Sequence, residues 1–222
     1  MKKQIIIAIA FILMSSVMFA ETPNKDEKKK KSEDFTKDLF LPGGFFNINY
    51  ALGFGVGSFN QFISTASYRG FDFNGTNMVN ANWGFGGGMG WTGFEEKFPR
   101  ATYVFDQGAI TGKGKHTYYN LDFYVSGSYY PLPEAVIKPY VGVSAGPIYQ
   151  TIQTQIGQYY IQDQNWQFKM SPEVGVYIPF GKDAEVGINT GLRYNLISYT
   201  NTRYNVKGIS YFQWILGLSF LF

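Results

Sequence analysis

From Phe45 onward the chain alternates large apolar and small or polar residues with a period of two, the signature of strands with one apolar face. The pattern predicts a first strand over 45–57, with Phe46, Ile48, Tyr50, Leu52, Phe54 and Val56 on one face and Asn47, Asn49, Ala51, Gly53, Gly55 and Gly57 on the other. A second strand follows at 83–91, where Trp83, Phe85, Met89 and Trp91 alternate with Gly84, Gly86, Gly88 and Gly90. Between them, 58–81 reads as a long Asn/Gly/Ser loop carrying Phe59, Phe62, Tyr68, Phe71 and Phe73. Segment 93–99 reads as a turn and 100–110 as a weakly alternating third strand.

The rhythm then recovers. Strands are predicted at 118–129, 139–150, 166–180, 185–196 and 208–222, which brings the count to eight. The last of them sets Phe212, Trp214, Leu216, Leu218, Phe220 and Phe222 against Tyr211, Gln213, Ile215, Gly217, Ser219 and Leu221. Long connections (58–81, 151–164, 198–207) are expected at one end of the strands and short ones (93–99, 131–138, 181–183) at the other, with 111–115 the exception.

Which face is outside follows from volume. Eight strands closed into a barrel leave an interior that side chains just fill. Five to seven large apolar groups per strand do not fit there, whereas the opposite face of Gly, Ala, Ser and Asn does. The bulky face therefore points outward, into lipid. Trp83 and Trp91 are eight residues apart, as are Trp214 and Phe222, about 26 Å along a strand. Together with Trp166, these residues are expected to form aromatic girdles at the two edges of an apolar band.

The inward set contains the charges of the clear strands, Asp122, Lys169, Glu173, Glu185 and Arg193. The turn at 181–183 brings Glu173 within reach of Arg193, directly opposite or diagonal. These groups either plug the lumen as a polar network or line a narrow path. The Gly-rich first two strands make one wall thin, and Tyr118, Tyr124, Tyr177 and Tyr211 are candidates to cross and fill the space.

The segments before the barrel have a different composition. Residues 1–20, with Lys2-Lys3 ahead of an apolar core and Ala20 at the end, read as a signal peptide. Residues 21–44 read as a charged periplasmic tail whose Lys and acidic residues cancel; its end, from Ser32, suits a short interfacial helix or a disordered lead-in. The net charge of +3 leaves too little for a nucleic-acid surface. Mean hydropathy is −0.14, ordinary for a barrel whose faces average out.

The final strand resembles the C-terminal strand of bacterial outer-membrane β-barrels, whose terminal aromatic residue is read by the barrel-insertion machinery. Residues 45–222 resemble small barrels of the OmpA, OmpX and OmpW kind. The resemblance rests on pattern and on the ending at Phe222, so it carries no functional residues across. It implies an all-β protein, an eight-stranded antiparallel up-and-down transmembrane β-barrel in the bacterial outer membrane, monomeric, with outer-membrane lipids and lipopolysaccharide around it. The roles it implies are envelope integrity, adhesion or another surface interaction, or passive movement of small solutes through a narrow channel or as a small-ligand carrier. Some small barrels modify lipid A, but the chain's one histidine, His116, has no neighbouring acid and there is no G-x-S-x-G elbow. No catalytic, cofactor or metal site is expected: Cys is absent and no His/carboxylate cluster has ligand spacing. Arg69, Lys113, Lys115, Arg203 and Lys207 outnumber Asp72 and Asp163 in the expected outer loops, an excess suited to lipid phosphates or another anionic surface.

Overall fold

The computed structural model describes residues 43–105, 108–181, 185–201 and 206–222. The expected signal peptide, and the charged tail up to residue 42, lie outside the described residues. The elements are β1 (Gly44–Val56), a six-residue helix α1 (Gly57–Phe62), β2 (Arg69–Met78), β3 (Trp83–Phe105), β4 (Gly108–Tyr129), β5 (Lys138–Ile156), β6 (Tyr159–Pro179), β7 (Val186–Asn201) and β8 (Val206–Leu221). Each strand pairs antiparallel with the next, and β8 pairs with β1 from Leu221↔Phe45 to Ser210↔Val56, closing an eight-stranded barrel. Closure satisfies the edges of the sheet within the band, the condition for strands to cross lipid.

Eight strands are present, but the partition differs from expectation. Residues 111–115, expected as a loop, lie inside β4, and most of the expected loop 151–164 belongs to β5 and β6. Two differences are larger. The stretch read as a loop at 58–81 contains α1 and β2. The segments read as strand, turn and strand between 83 and 110 are largely one strand, β3. The expected turn at 93–99 is mid-strand, and the register shift between Phe98 and Arg100 explains the lost alternation. A bulge there adds a residue and moves later side chains to the other face, and Pro99 has no N–H for a neighbour. The edge is free at that height, because β2 pairs with β3 only up to Arg69↔Gly93.

The expected asymmetry of loops is instead one of strand length. β5 and β6 pair as far as Ile156↔Tyr159, across a turn at Gly157-Gln158 where Gly157 has φ +60°. The upper halves of β3, β4, β5 and β6 thus stand above the rest as two long hairpins. At the opposite end lie Gly44, Phe222 and the connections 79–82, 130–137 and 180–185.

The barrel is inverted relative to a water-soluble one. On β1, Phe46, Ile48, Tyr50 and Phe54 are exposed while Asn47, Asn49, Ala51 and Gly53 are buried. On β8, Trp214, Leu216 and Leu218 are exposed while Gln213 and Ser219 are buried. Apolar surface costs about 25 cal/mol per Å² in water, so this arrangement suits apolar surroundings. Cross-strand neighbours Tyr50, Phe71, Trp91, Leu121, Tyr149 and Trp166 form a continuous outward row. Trp91 stacks on Phe71 and Tyr119, with centroids 5.7 and 6.0 Å apart, and Tyr149 meets Trp166 at 5.3 Å. Trp83, beside Tyr129, and the exposed Phe222 lie at the end holding the termini of the barrel. Trp214 points outward between Leu52 and Leu192.

Glycines set how closely the walls approach. A Cβ on Gly86 would lie 1.9 Å from the Gly75 carbonyl oxygen, whereas one on Gly75 would meet nothing within 4 Å. Gly86→Ala is therefore expected to lower the yield of folded barrel severely and Gly75→Ala to leave it near wild type. Heat-modifiable migration of refolded protein in a denaturing gel reads this directly; equal yields would contradict the close approach.

Candidate functional site

The candidate site is the lumen, which is filled in layers. Its centre is Arg193 on β7, directly opposite Glu173 on β6. Its Nε donates to Glu173 Oε2 at 2.6 Å, and its Nη1 reaches across the lumen to Asp72 Oδ2 on β2 at 2.9 Å. Asp72 is 1% exposed and Arg193 3%. Asp72 also accepts from the Tyr124 hydroxyl at 2.6 Å, from Asn74 at 2.8 Å and from Asn49 at 3.1 Å. The Tyr140 hydroxyl donates to Glu173 Oε1 at 2.6 Å. Lys169 on β6 pairs with Asp122 on β4, and the Lys169 and Arg193 cations lie 5.3 and 5.2 Å from the centre of the Tyr124 ring. Such a dense set of partners is what lets ionised groups exist away from water.

This layer holds three carboxylates (Asp72, Asp122, Glu173) against two cations (Lys169, Arg193), joined by Tyr124 and Tyr140. The glycine rows make room for it. A Cβ on Gly90 would lie 2.6 Å from Asp122 Oδ1, and one on Gly88 2.8 Å from the Tyr124 hydroxyl.

Next comes a ladder of neutral polar groups. Ser171 donates to Asn195 at 2.8 Å, Asn195 to Gln213 at 3.2 Å, and Gln213 to Thr92 at 3.1 Å. Asn120 donates to the Tyr211 hydroxyl at 3.1 Å.

The mouth beyond is closed by α1. Phe59, fully buried, packs edge-on against Phe94 and Tyr118, both at 5.1 Å, and lies 6.2 Å from Tyr211. Ile63, Ile148, Ile152, Ile197 and Ile209 complete the cluster. Phe62 stacks on His116 at 4.3 Å, and His116 Nδ1 lies 2.7 Å from the Phe62 carbonyl oxygen. Glu96 accepts from both the backbone N–H and the hydroxyl of Ser64, at 2.7 and 2.6 Å, and latches the segment after α1 to β3. Toward the other end, Phe45, Met78, Tyr130 and Tyr140 form a second apolar layer, with Phe45 stacked on Tyr177 at 6.0 Å. Between this layer and the charged one is a cavity of about 30 Å³, lined by Asn47, Ser126, Tyr177, Asn189 and Arg193 among others, room for a water or two.

Of the residues singled out in the sequence, Asp122, Lys169, Glu173 and Arg193 meet in one network. Glu185 does not: it precedes β7 at the end of the barrel, is exposed, and contributes its carbonyl oxygen to the Leu221 N–H at 2.7 Å. Asp72, read as a loop charge, belongs to the network and places a carboxylate on β2. Its signal was present in Phe71-Asp72-Phe73, an apolar–acidic alternation too short to stand out. The α1 plug had no periodic signal. Among the described residues, no group of three His, Asp or Glu side chains is placed to hold a metal.

Removing Arg193 would leave Asp72 and Glu173 buried without their cation. Arg193→Leu is expected to cost about 3–5 kcal/mol of stability, read as a lower guanidinium midpoint. Adding Asp72→Asn and Glu173→Gln should recover a large part of that loss; no recovery would mean that Arg193 acts through packing alone.

No family model matches the chain, and no curated protein matches it. Among solved structures it is similar to Neisserial surface protein A, with a TM-score of 0.53 at 15% identity over 81% of this chain and 97% of that one. Lesser likenesses include Ail of Yersinia pestis, in complex with the heparin analogue sucrose octasulfate (TM-score 0.44, 10% identity, 81% and 97% covered). Another is the outer membrane protein OprG of Pseudomonas aeruginosa (TM-score 0.44, 11% identity, 81% and 96% covered). At these identities the likeness speaks to architecture, and with the closed strand order it establishes that the chain has the fold of the small eight-stranded outer-membrane barrels.

Proposed function

We propose that the protein is a non-enzymatic outer-membrane barrel whose work is done by its outer surface, in adhesion or another surface interaction, while its lumen serves as a structural plug. The observation that carries this reading is the layered filling of the lumen. A solute entering from the α1 end meets Phe59 and its aromatic partners, then the neutral polar ladder, then the ion network. His116 is occupied with Phe62 and Phe98 in holding the plug. In this reading the end holding Phe222 faces the periplasm, with the N-terminal tail on the same side, and the terminal strand engages the insertion machinery. The β3–β6 hairpins then face outward and present Val104, Tyr159, Tyr160 and Ile161, all exposed, to a surface partner.

Two measurements test it. Purified protein in planar bilayers is expected to give no steady conductance; sustained open-channel currents would replace this reading with a narrow passive channel. The absence of cysteine allows a clean orientation test. An impermeant maleimide on intact cells is expected to label Thr111→Cys, in the β3–β4 hairpin, and to spare Val136→Cys in the 130–137 connection until the outer membrane is permeabilised.

A further inference from the structure

We propose that the outer wall of β2, β3 and β4 carries a binding site for a multiply phosphorylated lipid headgroup of the surrounding leaflet, formed by Arg69, Lys97, Arg100, Lys113 and Lys115. The membrane placement of this wall rests on the functional reading above.

The same order recurs along the lipid-facing side of three adjacent strands. On β4 the outward row runs Phe123, Leu121, Tyr119, Thr117, Lys115, Lys113; on β3 it runs Met89, Trp91, Gly93, Glu95, Lys97, then Arg100 past the bulge; on β2 it runs Phe73, Phe71, Arg69. Apolar and aromatic residues give way to cations on all three strands; Lys97 and Arg100 are level with Lys115 and Lys113, while Arg69 is opposite Gly93, four residues short of Lys97. Lys115 stands four residues beyond Tyr119, about 13 Å along the strand and about 10 Å in height at the tilt of such barrels. Arg69 is nearer the aromatic row, and the long stems can lean back toward it. That is the level of lipid headgroups, which occupy the outer several Å of each leaflet.

The charge arrangement asks for an anion. Lys97 is directly opposite Lys115, and Arg100 directly opposite Lys113, pairings that repel. One carboxylate, Glu95, serves three of these cations: Lys115 at 2.9 Å, Lys97 at 3.1 Å and Arg69 at 3.4 Å. All three contacts are within ion-pair distance, so this single carboxylate is shared among them. Glu96, next in sequence, is committed to Ser64. Neither Arg100 nor Lys113 has an ion-pair partner among the described residues, and both are exposed. Five cations against one acid leave four positive charges on a wall continuous with the lipid-facing surface. The neighbouring outward rows, Thr151, Gln153 and Gln155 on β5 and Gln162 and Gln164 on β6, are uncharged, so the excess is confined. A soluble polyanion would favour cations at the hairpin tips; here they begin beside the aromatic row.

The test uses the full chain, folded in neutral detergent and titrated with a diphosphorylated acylated disaccharide lipid while bound lipids are counted by native mass spectrometry. The Lys97→Gln/Arg100→Gln/Lys113→Gln/Lys115→Gln variant is expected to bind this lipid at least about tenfold more weakly, with no change for phosphatidylcholine. If that variant fails to fold, Arg100→Gln/Lys113→Gln removes the two unpaired cations and is expected to give about a threefold loss, within the reach of headgroup electrostatics. Equal binding by wild type and variant overturns the site, as does tight capture of soluble inositol hexakisphosphate with no preference for the phosphorylated lipid. Cysteine labelling judges orientation separately, so an inverted barrel and a missing headgroup site are told apart.

Discussion

The ion bridge through Arg193 is the interaction on which the interior depends. One guanidinium ties a carboxylate on the adjacent strand to another on the far wall, so strands distant in sequence are held across the lumen as well as around it. Buried charges of this kind are weak sources of net stability, because desolvation offsets much of their attraction. Their value here is in geometry. Arg193, Asp72 and Glu173 each have more than one partner with a fixed direction, and those partners are drawn from several strands around the barrel. The glycine rows on β3 allow this by leaving space for the Tyr124 ring and the Asp122 carboxylate, so residues without side chains and residues with the most demanding ones act as one feature.

The apolar layers at either end have a different logic. Phe59 and Phe62 are brought to the mouth by a helix of six residues, too short to be stable alone, held by Phe94, Tyr118, His116 and the Glu96–Ser64 latch. Excluding water from the mouth also strengthens the ion network beneath it, since the interactions of charges grow as the local dielectric falls. The outer wall repeats the division of labour along its height. Its apolar band, its aromatic row and its cations each match one layer of a lipid leaflet, while the hairpins beyond are free to meet something else.

Much of this was legible in the chain because alternation is a local property. A period of two separates inward from outward residues without knowledge of partners, and comparing the volume of the two faces with an eight-stranded lumen decides which is which. For that reason the outward Trp and Phe residues and the inward Asp122, Lys169, Glu173 and Arg193 could be read directly, and the expected count of eight strands agrees with the structure. The count came from a wrong partition, however: β2 was hidden in a polar stretch, and β3 was divided at a proline bulge that reverses the alternation. Both failures occur where residues answer to something other than a two-faced sheet. On β2 the inward side is chosen for the ion network, and at Pro99 the strand runs along an edge without a partner.

Alternation alone thus determined the class of fold, the closure by an apolar final strand and the inverted distribution of polar groups, because each follows from the spacing of neighbouring residues. Tertiary structure decided what meets across the lumen. Asp72 and Arg193 are 121 positions apart, and their contact depends on barrel diameter, on register around the sheet and on the glycines between them. The same holds for α1, whose aromatic residues become a plug only above a ring of partners from five strands, β3, β4, β5, β7 and β8. It holds too for the basic wall, since Arg69, Lys97 and Lys115 share one carboxylate only after β2, β3 and β4 are set side by side.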